Sequence, residues 1–258
     1  MLAVGPSEHR YLDLIVAHDF TSKSLESRLA LSPEEIASMH PRLFHITRPR
    51  AVLSIRNHGL LSASSLLTLF DVPAAARQSI ETLRRPGNIT IAHPTYGEAS
   101  ITDNGPLSEA ALLHCLDDGL QPADWLRLLN QRVFFWVDER NVDVHLRASI
   151  RNGEQRVVLV FDTLSVTRAY HRQVELTAIN TGSTIRRPAR RGLSTFAPAH
   201  QYTYREWQRL RGGRDQIKEL TVLDGIRDVD AHMTAYYTFP HLDSKSHSTT
   251  SFTWQPKG

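Results

Sequence analysis

His45 and Thr47, two residues apart near the start of the chain, and Glu219, near its end, are the side chains whose types and settings could do chemistry. Side chains alternate across a strand. In Leu43-Phe44-His45-Ile46-Thr47 the imidazole and the hydroxyl therefore share one face, while Phe44 and Ile46 take the other. Two polar groups side by side at a strand's end can grip a ligand hydroxyl. Glu219 lies in the middle of Ile217-Lys218-Glu219-Leu220-Thr221-Val222, a β-prone run. A carboxylate is disfavoured there unless it is paired, lies on an edge or is used. The structural alternative is an edge-strand charge that discourages aggregation.

Other chemistries find little support. Thirteen histidines invite a metal, yet there is no His-Glu-x-x-His, no Cys-x-x-Cys and no Asp-rich calcium loop, so no metal site is expected. Cys115, the only cysteine, sits among Leu112, Leu113 and Leu116 and reads as a core residue, not a nucleophile. No Gly-x-Ser-x-Gly elbow, Walker loop or Rossmann fingerprint occurs. One cysteine permits no intrachain disulfide, which favours a cytoplasmic setting. Glu8, Asp13 and Asp19 interrupt the N-terminal apolar residues, so no signal peptide or membrane span is expected.

The elements that must position these groups follow from local signals. The 258 residues, 41% hydrophobic and 22% charged, can build a sizeable core. Ser32-Pro33-Glu34-Glu35 has the capping residue, proline and glutamate of a helix start. Arg50–His58 reads as a helix stopped by Gly59, placed where a helix end favours a left-handed residue. Helices are expected through Leu66–Phe70, Pro73–Arg84, Ser108–Asp118 and Pro122–Leu129, and two short strands around a Pro94–Gly97 turn. Arg132-Val133-Phe134-Phe135-Trp136-Val137 is apolar on both faces, the pattern of a central buried strand. A polar helix from about Asp138 to Ile150, strands Val157–Phe161 and Val174–Ile179, a helix around Arg205–Arg211 and a strand Gln216–Leu223 complete the reading. Residues 241–258 read as a polar, flexible tail, and 1–240 as one α+β domain whose first 40 residues form a helical cover.

The net charge is only +3, but arginines cluster at 186, 187, 190 and 191 and again at 205, 209, 211 and 214. Such a patch could neutralise several phosphates or form a solvated loop. The loop 185–201 is long enough to suggest function.

The order of these elements resembles the split-sheet ADP-ribosyltransferase fold, and in particular the DarT-type enzymes that modify single-stranded DNA bases. Their opening, Leu-Tyr-His-x-Thr followed by Ile-x-x-x-Gly-Leu, is similar to Leu43–Thr47 and Ile55–Leu60 here, and their late Arg-x-Ala-Glu-Phe-Leu-Val is similar in type to Arg214–Val222. Residues 41 to 236 also resemble an uncharacterised bacterial family, through Leu129–Trp136 and Ile179–Thr184. The segment between 61 and 131 departs from DarT, so the relatives' catalytic arginine falls on Arg132 or Arg147. The 2′-phosphotransferases of tRNA splicing share the fold, but their set of basic residues does not map here.

The resemblance implies a NAD-dependent transfer of ADP-ribose to a nucleic-acid base, single-stranded DNA favoured, with NAD as substrate and no metal. It implies Glu219 and Arg132 as catalytic residues. His45 and Thr47 would hold the adenosine-side ribose, Phe134, Phe135 or Trp136 would wall the nicotinamide, and Arg147 would reach the pyrophosphate. Arg187, Arg190 and Arg191 would grip the nucleic-acid backbone. The alternative is a non-catalytic nucleic-acid-binding domain, or a tRNA 2′-phosphotransferase-like enzyme. An antitoxin partner is conceivable for a toxin-like enzyme, and the sequence does not identify one.

Overall fold

A computed structural model describes residues 30–151, 155–185, 187–210, 217–239 and 252–253. Among the described residues the first element is α1 (Pro33–Met39), where Ser32 and Glu35 cap each other's backbone N–H as the sequence predicts. There follow β1 (Arg42–Thr47), α2 (Ala51–His58), β2 (Leu60–Leu61), α3 (Ala63–Leu69), α4 (Ala74–Thr82), and the hairpin β3 (Ile89–His93) and β4 (Gly97–Ile101). Next come α5 (Glu109–Cys115), α6 (Pro122–Asn130), β5 (Arg132–Trp136), α7 (Glu139–Arg151), β6 (Arg156–Asp162), α8 (Thr163–Ala169), β7 (Val174–Thr177) and β8 (Ala197–Pro198). The last elements are α9 (Tyr204–Leu210), β9 (Glu219–Leu223), β10 (Gly225–Ile226), α10 (Val229–His232), β11 (Met233–Phe239) and β12 (Phe252–Thr253).

Among the described residues eight strands form one antiparallel sheet in the order β12-β11-β6-β1-β5-β9-β7-β8, so the protein is mixed α+β. One face carries Leu43, Phe135, Leu159, Phe161, Leu176 and Leu220 into the largest core cluster, beneath Ile36 of α1, Ile55 of α2, Val166 of α8 and Trp207 of α9. The opposite face is covered in two separate pieces. Val142 and Leu146 of α7 cover Phe44, Val158 and Val160, while Leu112 of α5, Trp125 of α6 and Phe196 form a second cluster against Phe134. A helical cover on one face and a divided cover on the other leaves a seam over the central strands.

The strand β5 is interior, as its two apolar faces predict. β1 and β6 register over six residues, from Arg42↔Asp162 to Thr47↔Val157. β1 and β5 register at only one pair, Phe44↔Trp136. The sheet is therefore weakly closed at its middle.

Several expectations need correction. Glu219 is not an edge charge, because β9 lies between β5 and β7. Of the expected tail 241–258 only Phe252 and Thr253 are described; they form β12 and pair with Tyr236 and Ala235 at the sheet edge, and the rest lies outside the described residues. α8 was not expected, since Thr163, Val166 and Thr167 favour strands; Asp162 caps it by accepting from the Ser165 N–H at 2.7 Å. β11 was also unforeseen, although it supplies a full partner to β6. Of the expected N-terminal cover, residues 1–29 lie outside the described residues, as do Arg186, Arg211 and Arg214. Among the described residues no helix is long and apolar enough to cross a membrane.

Candidate functional site

The registers place Phe44, Trp136, Glu219 and Thr177 in one row across β1, β5, β9 and β7. Cross-strand partners share a face, so these side chains project together with Phe134, two residues from Trp136. The row lies under the divided cover. Phe134 and Trp136 stay only partly buried although their strand is central, one packing against the α5–α6 cluster and the other against the α7 cluster. Phe135, of the opposite parity, is fully buried against Phe161 on the other face and takes no part in this wall.

Glu219 is 5% exposed. Its Oε2 accepts from the Thr181 backbone N–H at 3.2 Å and from the Thr181 hydroxyl at 2.7 Å. Loss of hydration raises its pKa to about 7; the two Thr181 bonds and the charge of Arg191 pull in the other direction and only partly compensate. Glu175 offers an internal comparison. It lies on the same face of β7, two residues along, and is equally buried, but it forms a bidentate pair with Arg132 at 2.7 and 3.0 Å. The fold supplies a guanidinium fork to one buried glutamate and withholds it from the other.

That pair relocates Arg132. Its third bond goes to the Leu128 carbonyl at 2.7 Å, and its guanidinium lies 4.1 Å from the centre of the Phe196 ring. Arg132 is thus consumed in holding β5 to β7, at the far end of its strand from Trp136, and is not brought to Glu219. Arg147 is exposed on α7.

His45 lies on the opposite face by strand alternation, with Thr47, but its ring occupies the gap between β1 and β5. Its Nδ1 is 3.0 Å from the Phe134 carbonyl oxygen, and its ring meets Phe135 edge-on at 5.9 Å. A carbonyl only accepts, so Nδ1 carries the proton and Nε2 is the ring's acceptor. Burial lowers the His45 pKa, partly offset by the Phe134 bond, which keeps the ring neutral at pH 7. Thr47 is 8% exposed. His45 and Glu219 therefore belong to opposite faces of the sheet. Their strands are two spacings apart, roughly 10 Å, with β5 between them.

The arginine loop divides. Arg187 is exposed. Arg190 is exposed but tied to Asp117 and to the carbonyls of His114 and Leu116. Arg191 is 2% exposed and cannot grip a nucleic-acid backbone: its Nη1 donates to the Thr181 carbonyl at 3.0 Å and its guanidinium lies 5.6 Å from the Trp125 ring. Sequence reasoning missed Thr181. The Asn180-Thr181-Gly182 turn directly after β7 was the only available signal.

Among the described residues no group of three or more His, Cys, Asp or Glu could hold a metal. Two cavities lie off the row. One of about 340 Å³ is lined by Arg77, Glu81, Arg127, Gln131 and Asp224, and one of about 630 Å³ by Arg84, Leu107, Glu109, Thr184 and Ile185. None of the row's residues lines either cavity, and Phe134 and Trp136 belong to the two separate clusters that cover this face.

Residues 41–233 match the model of a family described as a family of unknown function (DUF7002). No curated protein matches the chain, and no solved structure does.

Proposed function

Starting from a chain that belongs to that family, we propose a NAD-dependent ADP-ribosyltransferase that acts on a nucleic-acid base. One observation carries the reading: a buried carboxyl without a guanidinium fork stands in the middle of a sheet, beside a partly buried aromatic wall, and titrates near neutrality. Such a group is costly to a merely structural protein. The weakly closed β1–β5 junction and the His45 ring within it fit the split sheet of the ADP-ribosyltransferase fold.

In this reading the His45 Nε2 accepts from an adenosine-side ribose hydroxyl, with Thr47 beside it. The pyrophosphate crosses the gap, and the nicotinamide ribose lies toward Glu219. Phe134 and Trp136 offer apolar surface to the nicotinamide ring. The bond between ribose C1′ and the nicotinamide nitrogen breaks, the electron pair leaves with neutral nicotinamide, and positive charge builds on the sugar. The ionised Glu219 stabilises that charge through the ribose 2′-hydroxyl. It then takes the proton that the acceptor base loses as its nitrogen or oxygen bonds to C1′. A carboxyl titrating at about 7 is substantially ionised at neutral pH and still basic enough for this step. Arg147 is the exposed cation on the covering helix available for the pyrophosphate. Arg187, and Arg190 if it leaves Asp117, are available for the nucleic acid.

The capture of Arg132 by Glu175 favours a second reading, a nucleic-acid-binding domain of the same fold without the chemistry. Calorimetric titration with NAD separates the two. The first reading expects NAD to bind, with affinity reduced at least tenfold in His45→Ala and in Trp136→Ala. Oligonucleotide binding with steep salt dependence and no heat from NAD would favour the second.

A further inference from the structure

Both described hydrogen bonds to Glu219 fall on one oxygen. The Thr181 N–H and hydroxyl both donate to Oε2, and Oε1 takes no bond among the described residues. Thr181 itself is fully buried, and its carbonyl receives Arg191 Nη1 at 3.0 Å. Arg191 is fixed in turn at several points. Its N–H donates to the Cys115 carbonyl and its carbonyl accepts from the Asp117 N–H, both at 2.8 Å; Nε donates to the Ala189 carbonyl at 3.1 Å. Segments far apart in the chain thus converge to hold one peptide unit against one carboxylate oxygen.

From this convergence we infer that Thr181, locked by Arg191, is a positioning residue that commits Oε2 of Glu219 to the scaffold and presents Oε1 to the reacting ribose and acceptor. The role in catalysis rests on the transferase reading above; the clamp itself does not. The remaining neighbours of Glu219 do not compete for this task. Trp136 and Thr177 flank it, Lys218 next to it in the chain is exposed, and the Arg132–Glu175 pair on the same face makes its further bonds with the Leu128 carbonyl and the Thr221 hydroxyl. A donor pair on one oxygen also fixes the side-chain torsions, so Oε1 needs no rearrangement to act.

The test uses the full chain labelled with ¹³C at glutamate Cδ, the Glu219 signal being identified by its loss in Glu219→Gln. Thr181→Val removes the hydroxyl and keeps the N–H; Thr181→Ala serves where valine disturbs the fold, and Thr181→Ser is the conservative rescue. The clamp expects the Glu219 titration midpoint to move upward in Thr181→Val and to return in Thr181→Ser, because a lost donor disfavours the ionised form. Nicotinamide release at pH 7 should fall about tenfold in Thr181→Val with NAD affinity unchanged. An unchanged titration in both Thr181→Val and Thr181→Ala would overturn the inference. A shifted titration with no nicotinamide release from any protein, wild type included, upholds the clamp and rejects the transferase reading instead.

Discussion

The imidazole of His45 stands where a strand-to-strand bond would otherwise lie, its Nδ1 3.0 Å from the carbonyl oxygen of Phe134. A side chain does the work of a ladder bond at a junction that registers at a single pair, Phe44↔Trp136. The junction can therefore remain open without stranding the Phe134 carbonyl.

This arrangement has a pH signature. Burial lowers the His45 pKa below its ordinary 6.5, so the folded state binds fewer protons there than the unfolded chain. The stability this contributes is present above pH 6.5 and is lost as pH falls toward the depressed folded value. Relative to His45→Gln, wild type is expected to lose stability between pH 7 and pH 5, read from urea midpoints at fixed slope. Parallel pH curves for the two proteins would contradict it.

Glu219 has the opposite sign. Its folded pKa of about 7 lies above the ordinary 4.5, so folding takes up protons between these values and stability falls as pH rises through them. Above pH 7 the cost is on the order of 3 kcal/mol. Glu219→Gln, which keeps a group able to accept from Thr181, should melt higher than wild type at pH 8 and nearly the same at pH 4. Equal melting at pH 8 would show that the carboxylate is better accommodated than its burial implies.

Arg132 should behave as a structural cation. Arg132→Met leaves Glu175 charged and buried, at a cost of about 3–5 kcal/mol, whereas adding Glu175→Leu should recover most of that loss. Urea unfolding of the two single variants and the double variant measures the coupling. A folded Arg132→Met of near wild-type stability would return Arg132 to the list of catalytic candidates.

Gly59 ends α2 at φ 92°, and a Cβ there would stand 2.6 Å from the Ile226 carbonyl oxygen. Both the left-handed backbone and the close approach of β10 to β2 require glycine. Gly59→Ala should cost about 2 kcal/mol or more, visible as a lowered denaturation midpoint. An unaffected midpoint would mean that the β2–β10 pair can shift freely.

What the sequence reveals here is what local chemistry decides. The Ser32–Glu35 cap, the Gly59 stop, the Pro94–Gly97 turn and the two-faced apolar run of β5 each carry their own signal, and each element forms where that signal lies. The fate of an arginine carries no such signal. Arg132 reads as a catalytic candidate and Arg191 as part of a phosphate-gripping patch in sequence, but a glutamate from β7 and a carbonyl from the 181 turn hold them. Thr181 escaped notice for the same reason, since its two bonds to Glu219 bridge a long stretch of chain. α8 was hidden because β-branched residues populate a helix whose buried face and Asp162 cap outweigh their propensity.

The central claim, that Glu219 acts on NAD held across the β1–β5 gap, is tested most directly by nicotinamide release. Wild type, Glu219→Gln and Arg147→Ala are incubated with NAD and mixed single-stranded oligonucleotides, and the oligonucleotide mass is followed in parallel. The account expects wild type to release nicotinamide and add ADP-ribose to the oligonucleotide, Glu219→Gln to bind NAD but lose about a hundredfold or more in rate, and Arg147→Ala to be weakened mainly in NAD affinity. Release from Glu219→Gln at the wild-type rate, or no release from wild type with any oligonucleotide, would contradict it.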